Sequence, residues 1–384
     1  MVNQRQVVVT GMGLVSALGT SVPVCWDRLL KGETAIYLRQ PFADLPVIPL
    51  GMVGKHPARI EDLLLPALTE AIEDAGLKLP LADCGVVIGS SRSFQGQIEA
   101  MAIPWLSAGE HPDGDQWING LPHMPAILAA RTVSSPGPVM APMAACATGL
   151  WAVFQGAELI RQGMCDRVIV GAVEAPITPL TISGFHKMGA LATTGCYPFA
   201  EQRQGLVLGE GAAVLLLESA EVFAQRASPN HYGHILAAGF SADAHHMTAP
   251  NPQQSGSRFA LETCLKRSGL HTSAIDYIHP HGTGTELNDL QESTLIQGMF
   301  PHPPPISSSK GATGHTLGAS GVFGVVFSLL ALKHQVLPSN VGGIGAGIYP
   351  NLVRTKTPQT LENALCFSFG FGGQNAVLAL TKGG

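Results

Sequence analysis

Cys146 is the residue of this chain whose position is best suited to nucleophilic chemistry. It lies where an apolar approach changes into a run of small residues, and the segment that follows, to about Arg161, has the composition of a helix. At a predicted helix start, unpaired backbone N–H groups and the positive end of the helix dipole favour a thiolate. The alternative is a buried, inert cysteine, because cysteine is among the most buried residue types. From this segment alone, both interpretations stay open.

Two histidine motifs in the C-terminal part supply further polar groups. In the segment 278–289, His281 follows a predicted buried strand and precedes a loop of Gly and Thr residues. Ligands collect at such strand ends, although a lone histidine there is more often structural. In the segment 307–321, His315 stands just before an apolar helix and follows Lys310 in a loop of small residues. This loop lacks the spacing of a Walker phosphate-binding motif.

Composition limits the classes of function. The chain has 384 residues, of which 46% are hydrophobic and 13% charged, so we expect a heavily buried globular protein with two structural units or one large double core. A net charge of -5 gives no general nucleic-acid or anionic-membrane footprint. The longest apolar run, about 321–332, is too short to span a bilayer, and the strand-like start at 7–10 does not read as a secretory signal.

The cysteines and histidines do not predict a metal site. Seven cysteines are scattered without CxxC pairs, which indicates neither a zinc site nor a disulfide framework and favours a reduced compartment. We therefore expect a cytoplasmic protein. His245, His246, His279 and His281 could ligate a metal, but no third ligand accompanies them at the usual spacing. The segment 11–16 breaks the dinucleotide-binding pattern, so we expect no metal and no cofactor.

An internal repeat predicts a duplicated architecture. Residues 68–89 align without gaps to residues 261–282, and residues 209–217 align to 372–380 in the same order. Each copy reads as a helix, a glycine stop and a buried strand, or as a glycine-rich turn and a strand. We therefore predict two similar α/β halves, residues 1–225 and 230–384. The helices after Cys146 and His315 are apolar nearly all round, which places them in a central layer between sheets.

Taken together, these motifs resemble the β-ketoacyl synthases of the thiolase-like superfamily over nearly the whole chain. The resemblance implies an internally duplicated five-layer α/β/α/β/α fold. It is carried by Ala145-Cys146-Ala147-Thr148-Gly149, His281-Gly282-Thr283-Gly284-Thr285, Lys310 with Gly314-His315, and Gly370-Phe371-Gly372-Gly373.

The resemblance also implies roles for individual residues. Cys146 would accept an acyl chain from a carrier-protein thioester, with the backbone N–H groups of Cys146 and Phe371 holding the oxyanion. His281 and His315 would stabilise the enolate left when a malonyl thioester loses carbon dioxide. Lys310 would orient His315, and Phe371 would gate the acyl pocket. Hydroxyls that contact the pantetheine arm would come from Thr283, Thr285 and Thr248.

The same resemblance narrows the subclass. A Cys-His-His set favours elongation of an acyl chain over initiation from a coenzyme A primer. Gly324 stands where bacterial fatty-acid enzymes usually carry Glu. The segment 197–205 lacks the usual Arg before its proline and the two Asp residues of that motif. The usual basic entry segment is also absent from residues 36–66. These departures leave the pathway and the carrier-docking patch open.

We expect a homodimeric, acyl-carrier-protein-dependent condensing enzyme of fatty-acid or polyketide chain extension, with no nucleic-acid or membrane partner. One alternative is a specialised type II polyketide or polyene subunit that works as a heterodimer with a related, cysteine-less partner. A second is a non-condensing partner protein that keeps the fold without turnover.

Overall fold

Long runs of Val, Leu, Ile and Ala form strands that are buried on both faces, as β1 and β8 are throughout. The structure is a computed structural model, and it describes residues 5–109, 116–226, 230–343 and 347–383. The strands are β1 (Val7–Ser16), β2 (Tyr37–Arg39), β3 (Ile48–Gly51), β4 (Cys84–Gly89), β5 (Val139–Met140), β6 (Arg167–Glu174), β7 (Leu208–Gly209), β8 (Gly211–Ser219), β9 (Gly233–Ala242), β10 (Tyr277–His279), β11 (Val336–Leu337), β12 (Thr357–Pro358), β13 (Asn363–Gly370) and β14 (Gln374–Thr381).

Helices connect these strands. They are α1 (Val22–Leu30), α2 (Ile60–Asp74), α3 (Gln95–Ala108), α4 (Gln116–Asn119), α5 (Met124–Val133), α6 (Thr148–Arg161), α7 (Pro179–Lys187), α8 (Ala220–Ala224), α9 (Ser255–Ser268), α10 (Glu286–Met299), α11 (Lys310–Thr313) and α12 (Ser320–His334). Two short 3-10 turns, Thr272–Ala274 and Leu317–Ala319, complete the described elements. The first of them precedes β10 and the second precedes α12.

The sheet topology repeats itself. The large sheet has the order β10-β13-β14-β9-β1-β8-β6-β4-β5. Read outward from its centre, the N-terminal strands run β1-β8-β6-β4-β5 and the C-terminal strands run β9-β14-β13-β10, followed by a parallel bridge from Ile278 to Ile306. Chain order is therefore the same in both series: first strand, last strand, fourth, second, third. The short pairing of Val8 with His234 joins the two series.

The predicted five-layer arrangement is confirmed. Helices α2 and α5 cover the outer face of the N-terminal strands, and α9 covers the outer face of the C-terminal strands. Helices α6 and α12 pack against each other between the two series of strands. The repeat found in the sequence corresponds to α2 with β4 and α9 with β10. The boundary between residues 225 and 230 stays a prediction, and residues 227–229 lie outside the described part of the chain.

The central helix is longer than the apolar run indicated. The helical segment Leu317–His334 has 18 residues and is apolar enough to cross a membrane by length and composition, so the expectation that this run is too short was wrong. However, 89% of the segment is buried inside the protein. Every residue of α12 from Ser320 to Leu332 is buried, as the central layer requires.

One segment predicted to be irregular is partly helical. Residues 101–125 contain the end of α3, the short α4 and the first residues of α5, while residues 110–115 lie outside the described part. Helix α3 has no buried residue, and Trp105 and Leu106 are exposed on it. The edge strand β5 is exposed as well. Among the described residues, both elements therefore leave apolar side chains exposed.

Candidate active site

The three side chains predicted to perform the chemistry meet in one place. The sulfur of Cys146 and a ring nitrogen of each of His281 and His315 lie within 4.8 Å of one another. His315 Nε2 is 3.2 Å from Cys146 Sγ, which is hydrogen-bonding distance for sulfur. The two imidazole rings stand nearly perpendicular, with their centroids 5.2 Å apart. Residues from the two halves of the chain therefore form one constellation.

The backbone around Cys146 is held from both sides. Ala145 adopts φ 48°, a left-handed conformation that is costly for a residue with a side chain and turns the chain sharply into α6. On the other side, Ser368 Oγ donates a hydrogen bond of 2.7 Å to the carbonyl of Cys146. Gly370 passes so close that an added Cβ would lie 2.9 Å from Cys146 N. The end of β13 thus fixes the nucleophile position.

Phe371 contacts the sulfur through its backbone. Its N–H group donates to Cys146 Sγ, an interaction that lowers the pKa of the thiol. The ring of Phe371 stacks on Phe185 with centroids 6.0 Å apart, and Arg92 lies over the other ring of this pair, 5.9 Å from the centroid of Phe185. Arg92, Phe185 and Phe371 thus form a stack that ends beside the sulfur of Cys146.

Burial governs the charge state of the sulfur. It raises the pKa of Cys146 to about 11, against the lowering effects of Lys310 and of the Phe371 N–H. The features of the helix start that favour a thiolate are therefore outweighed by burial. A proton acceptor is within reach, because His315 Nε2 lies 3.2 Å away. Burial, with a smaller contribution from Lys310, lowers the pKa of His315 well below its ordinary value and keeps the ring neutral.

His281 is positioned by a carboxylate on α10. Glu292 Oε1 accepts the N–H of His281 at 2.6 Å, and Glu292 Oε2 accepts the N–H of Gly282 at 2.8 Å. Burial raises the pKa of Glu292 to about 7. Burial, followed by Lys310, also lowers the pKa of His281 well below its ordinary value. The ring is thus neutral and oriented through its own backbone.

A second carboxylate holds the rest of this loop. Asp289, three residues earlier on the same helix and fully buried, accepts the N–H groups of Thr283 at 3.0 Å and of Gly284 at 3.1 Å. It also accepts the N–H of Phe199 at 2.8 Å. One turn of α10 therefore binds the loop that follows β10 at successive backbone N–H groups. Carboxylates near a helix N-terminus are also favoured by the dipole.

Lys310 is buried and contacts His281 rather than His315. Its Nζ donates a hydrogen bond to the carbonyl of His281, and in the described part of the chain it makes no hydrogen bond to His315. Burial lowers the pKa of Lys310, and the nearby Glu292 carboxylate opposes this. Glu292 thus accepts the backbone N–H of His281, and Lys310 donates to its carbonyl. The expectation that Lys310 orients His315 is not what the contacts indicate.

The space beside Gly324 is filled by the side chains of other residues. A Cβ at this position would lie 2.5 Å from Cys366 Sγ and 2.7 Å from His279 Nδ1. His279 is buried, and its Nε2 lies 3.1 Å from Ser309 Oγ, while its Nδ1 has no hydrogen-bond partner among the residues that the structure describes. Burial, with Lys310, lowers its pKa to about 3, so the ring is neutral. The volume beside Lys310 is filled by an imidazole and a thiol, and a glutamate at residue 324 has no room.

A cavity of about 430 Å³ leads from the surface to these groups. Thr248, Thr283 and Thr285, predicted from the resemblance to contact a pantetheine arm, all line it. The hydroxyls of Thr283 and Thr285 lie 2.9 Å apart. Among the described residues, the lining also includes Cys146, His281, His315, Phe185, Phe371, Met188, Gln204 and Leu287.

Comparison with known proteins agrees with this geometry. The sequence profile of the β-ketoacyl synthase N-terminal domain matches residues 56–222, and that of the C-terminal domain matches residues 232–343. A curated relative described as 3-oxoacyl-[acyl-carrier-protein] synthase 2 of Staphylococcus aureus is 32% identical over 100% of this chain and 99% of its own length. The chain belongs to the β-ketoacyl synthase family. A relative of the same description from Coxiella burnetii is 31% identical, over 99% of each chain.

Solved structures of ketosynthases superpose on the whole chain. The ishigamide ketosynthase/chain length factor has a TM-score of 0.91 at 27% identity and covers 99% of this chain and 100% of its own. A β-ketoacyl synthase from Burkholderia phymatum has a TM-score of 0.88 at 26% identity, with the same coverage. The predicted family and fold are therefore confirmed, and this chain is a condensing acyltransferase.

Several residues that build the site were missed in the sequence. Asp289 and Glu292 are spaced three apart on the helix that follows the His281 motif, so helical periodicity could have placed both carboxylates under that loop. Ser368 carries no comparable signal, because its contact with Cys146 comes from a segment far away in sequence. His279 was considered only as a possible metal ligand, and its contact with Ser309 is equally distant in sequence.

Proposed function

We propose that Cys146 carries the acyl chain in this β-ketoacyl synthase. The sulfur attacks the carbonyl of an acyl thioester on acyl carrier protein, a new C–S bond forms, and the carrier thiol leaves. His315 Nε2, 3.2 Å from the sulfur, takes the thiol proton, which burial otherwise holds with a pKa of about 11. The proton then passes to the departing carrier thiolate.

The second step forms the carbon–carbon bond. A malonyl thioester on the carrier loses carbon dioxide, and the electrons of the broken bond form an enolate. Neutral His281 and His315 donate to the enolate oxygen, His315 in the tautomer that carries its hydrogen on Nε2, the nitrogen that faces Cys146. The carbanion attacks the acyl-Cys146 carbonyl, and the C–S bond breaks. The product is a β-ketoacyl thioester on the carrier, and the Cys146 thiolate that leaves takes up a proton from water to become the thiol again.

One observation carries this proposal. A nucleophilic sulfur and two buried neutral imidazoles converge within 4.8 Å at the inner end of a cavity that opens to solvent. The same three donors form a soft set that a zinc ion would accept in other settings. Here the buried cation of Lys310 lies close enough to affect the pKa of all three groups, and a second cation would be repelled.

The supporting residues take the roles that their contacts permit. The N–H of Phe371, which reaches the Cys146 sulfur, contributes to the oxyanion site together with the N–H of Cys146. Lys310 positions His281 through its carbonyl and favours negative charge at the sulfur. Thr248, Thr283 and Thr285 bind the phosphopantetheine arm, which is substrate here.

We further propose a dimeric, cytoplasmic enzyme. Two solved relatives are described as complexes of a ketosynthase with its chain length factor or with a type II polyketide acyl carrier protein. Strand β5 and helix α3 leave apolar residues such as Val139, Leu106 and Ile103 exposed, a surface that suits a second copy or a related subunit. Light scattering of the purified chain, and of whatever copurifies from its host, separates a homodimer from a heterodimer.

The test is acylation mapped by mass spectrometry. Incubation with butyryl-carrier protein should place one butyryl group on Cys146, and Cys146→Ala should abolish both this adduct and condensation. Cys165→Ala is the matched control, because Cys165 is also nearly buried but lies at the far end of α6. Acylation of another cysteine in the wild-type enzyme, or condensation by Cys146→Ala, would contradict the assignment.

A further inference from the structure

Exposed apolar side chains surround the opening of the catalytic cavity. Leu287, which lines the opening, is 59% exposed, and Leu290, one turn further along α10, is 52% exposed. Met247, next to the lining residue Thr248, is 79% exposed, and Met188 at the end of α7 is also exposed and lines the opening. We call Met188, Met247, Leu287 and Leu290 the rim.

The rim is held in place by hydrogen bonds between its elements. Gly372 N–H donates to the carbonyl of Met247 at 2.8 Å, which ties the loop after β9 to the turn beside Cys146. The side chain of Gln254 donates to the carbonyl of Gln291 at 2.9 Å, which ties the same loop to α10. These apolar side chains therefore project from backbone that is fixed relative to the active site.

The charges beside the rim cancel. Lys187 precedes Met188 and Glu286 precedes Leu287, and both charged side chains are exposed. In the adjacent segment 197–205, Arg203 donates to the carbonyls of Ala200 and Glu286, and Glu201 is exposed nearby. These two positive and two negative side chains balance, and the half-buried Asp243, which also lines the opening, adds a negative charge, so the charged groups named here give no net positive field that would steer an acidic partner.

Polar but uncharged side chains complete this surface. Gln204, which also lines the opening, accepts a hydrogen bond of 2.9 Å from Thr193 Oγ1. Tyr197 donates to Thr194 Oγ1 at 3.1 Å. Apart from Arg203 and Glu201, whose charges are opposite, the loop 197–205 thus presents neutral groups here. Apolar contact is the interaction that this surface offers.

We propose that the rim is the docking surface for the carrier protein and that it holds the carrier by apolar contact rather than by charge. This inference rests on the proposed function, because the thioester arm must pass through the opening to reach Cys146. The protein that bears the arm then sits on the rim. The structure thereby assigns a carrier whose surface beside its phosphopantetheine arm is apolar.

The test compares two acyl donors on variants of rim residues that do not line the cavity. Met247→Glu and Leu290→Glu should each lower kcat/KM for acylation by the butyryl-loaded carrier protein of the host by roughly tenfold, and together by about a hundredfold. With butyryl-N-acetylcysteamine, which is too short to contact the rim, both variants should stay within about twofold of wild type. Met247→Leu should behave as wild type with both donors.

A matched control and a salt series complete the experiment. Met164→Glu introduces the same change at a methionine that is 58% exposed beyond the far end of α6, and it should leave both donors unaffected. Between roughly 0.05 and 0.5 M salt, the carrier-dependent rate should change by less than about threefold. Rim variants with normal carrier-dependent rates, or a steep fall with salt, would overturn apolar docking. If wild type accepts neither donor at Cys146, the proposed function itself fails.

Discussion

Strands β4 and β10 occupy the same place in the two series of strands, and each is followed by a turn that donates to a buried carboxylate. After β4, Ser91 N–H and Ser90 Oγ donate to Glu174. After β10, His281 N–H and its neighbour donate to Glu292. Burial raises the pKa of both carboxyl groups to about 7. In the C-terminal half this turn carries an imidazole, and in the N-terminal half it carries hydroxyls.

The central helices differ in the same manner. Cys146 stands just before α6, and His315 stands just before the short turn that leads into α12. Duplication therefore produced two equivalent helix starts and two equivalent strand ends around one cavity, and each position acquired its own side chain. The comparison indicates that one half of the chain supplies the sulfur and the other half supplies the imidazoles.

The largest expected effect comes from replacing one side chain in each turn by alanine, His281 after β10 and Ser91 after β4. His281→Ala should lower condensation by about a thousandfold, because an enolate-stabilising N–H is lost, while butyryl transfer to Cys146 persists. Ser91→Ala, at the equivalent turn, should change condensation by less than about threefold. Condensation is measured by the release of labelled carbon dioxide from malonyl-carrier protein, and butyryl transfer is measured by mass spectrometry of the acyl-enzyme. Equal losses in the two variants would remove the functional difference between the turns.

Next in size is the effect of the two carboxylates. Glu292→Gln should lower condensation by roughly ten- to a hundredfold, because an amide can accept one of the two N–H groups that Glu292 accepts and leaves the other unpaired. In the wild type, activity should fall as pH drops through about 7, where Glu292 takes up a proton, and this acid limb should disappear in the variant. Glu174→Gln is the matched comparison and should keep the limb. If the loss of activity at low pH were unchanged in Glu292→Gln, it would belong to the titration of another group.

Smaller effects should appear in stability, where the two central helices cross. A Cβ at Gly149 would lie 2.7 Å from a side-chain carbon of Val322 and 2.9 Å from its backbone nitrogen, and a Cβ at Gly321 would lie 3.0 Å from Leu150. Gly149→Ala and Gly321→Ala should each lower the free energy of unfolding by about 1–3 kcal/mol, the former by more because its nearest neighbours are closer. Denaturant titration measures this. A larger loss at Gly321 would indicate that α6, which the added Cβ meets there, yields less easily than α12.

The smallest expected change concerns the pKa of Cys146. Lys310 lowers this pKa and Glu174 raises it, so substitutions in the two halves should act in opposite directions. At pH about 9, Lys310→Met should slow alkylation by iodoacetamide a few-fold, since less thiolate is present, and Glu174→Gln should accelerate it a few-fold. The rate is followed by mass spectrometry of the labelled Cys146 peptide. A change of the same sign in both variants would show that solvent access, not charge, controls the rate.

Local pattern was sufficient for part of this protein. The residues around Cys146, His281 and His315 predict a helix start, a strand end and a loop before an apolar helix, and the structure has these elements there. The duplication was also visible, since a repeated helix and strand keep their spacing in sequence. Such features depend on a few neighbouring residues, which is why the sequence by itself was enough to predict two α/β halves and to single out Cys146, His281 and His315.

Long-range packing decided the remainder. Three contacts depend on segments that are far apart in the chain. Lys310 binds the carbonyl of His281 and not His315, Ser368 binds the carbonyl of Cys146, and His279 fills the space beside Gly324. The high pKa of Cys146 has the same origin, because desolvation by the surrounding layers outweighs the charges that favour the thiolate. Burial is a property of the assembled molecule, and no local run of residues encodes it.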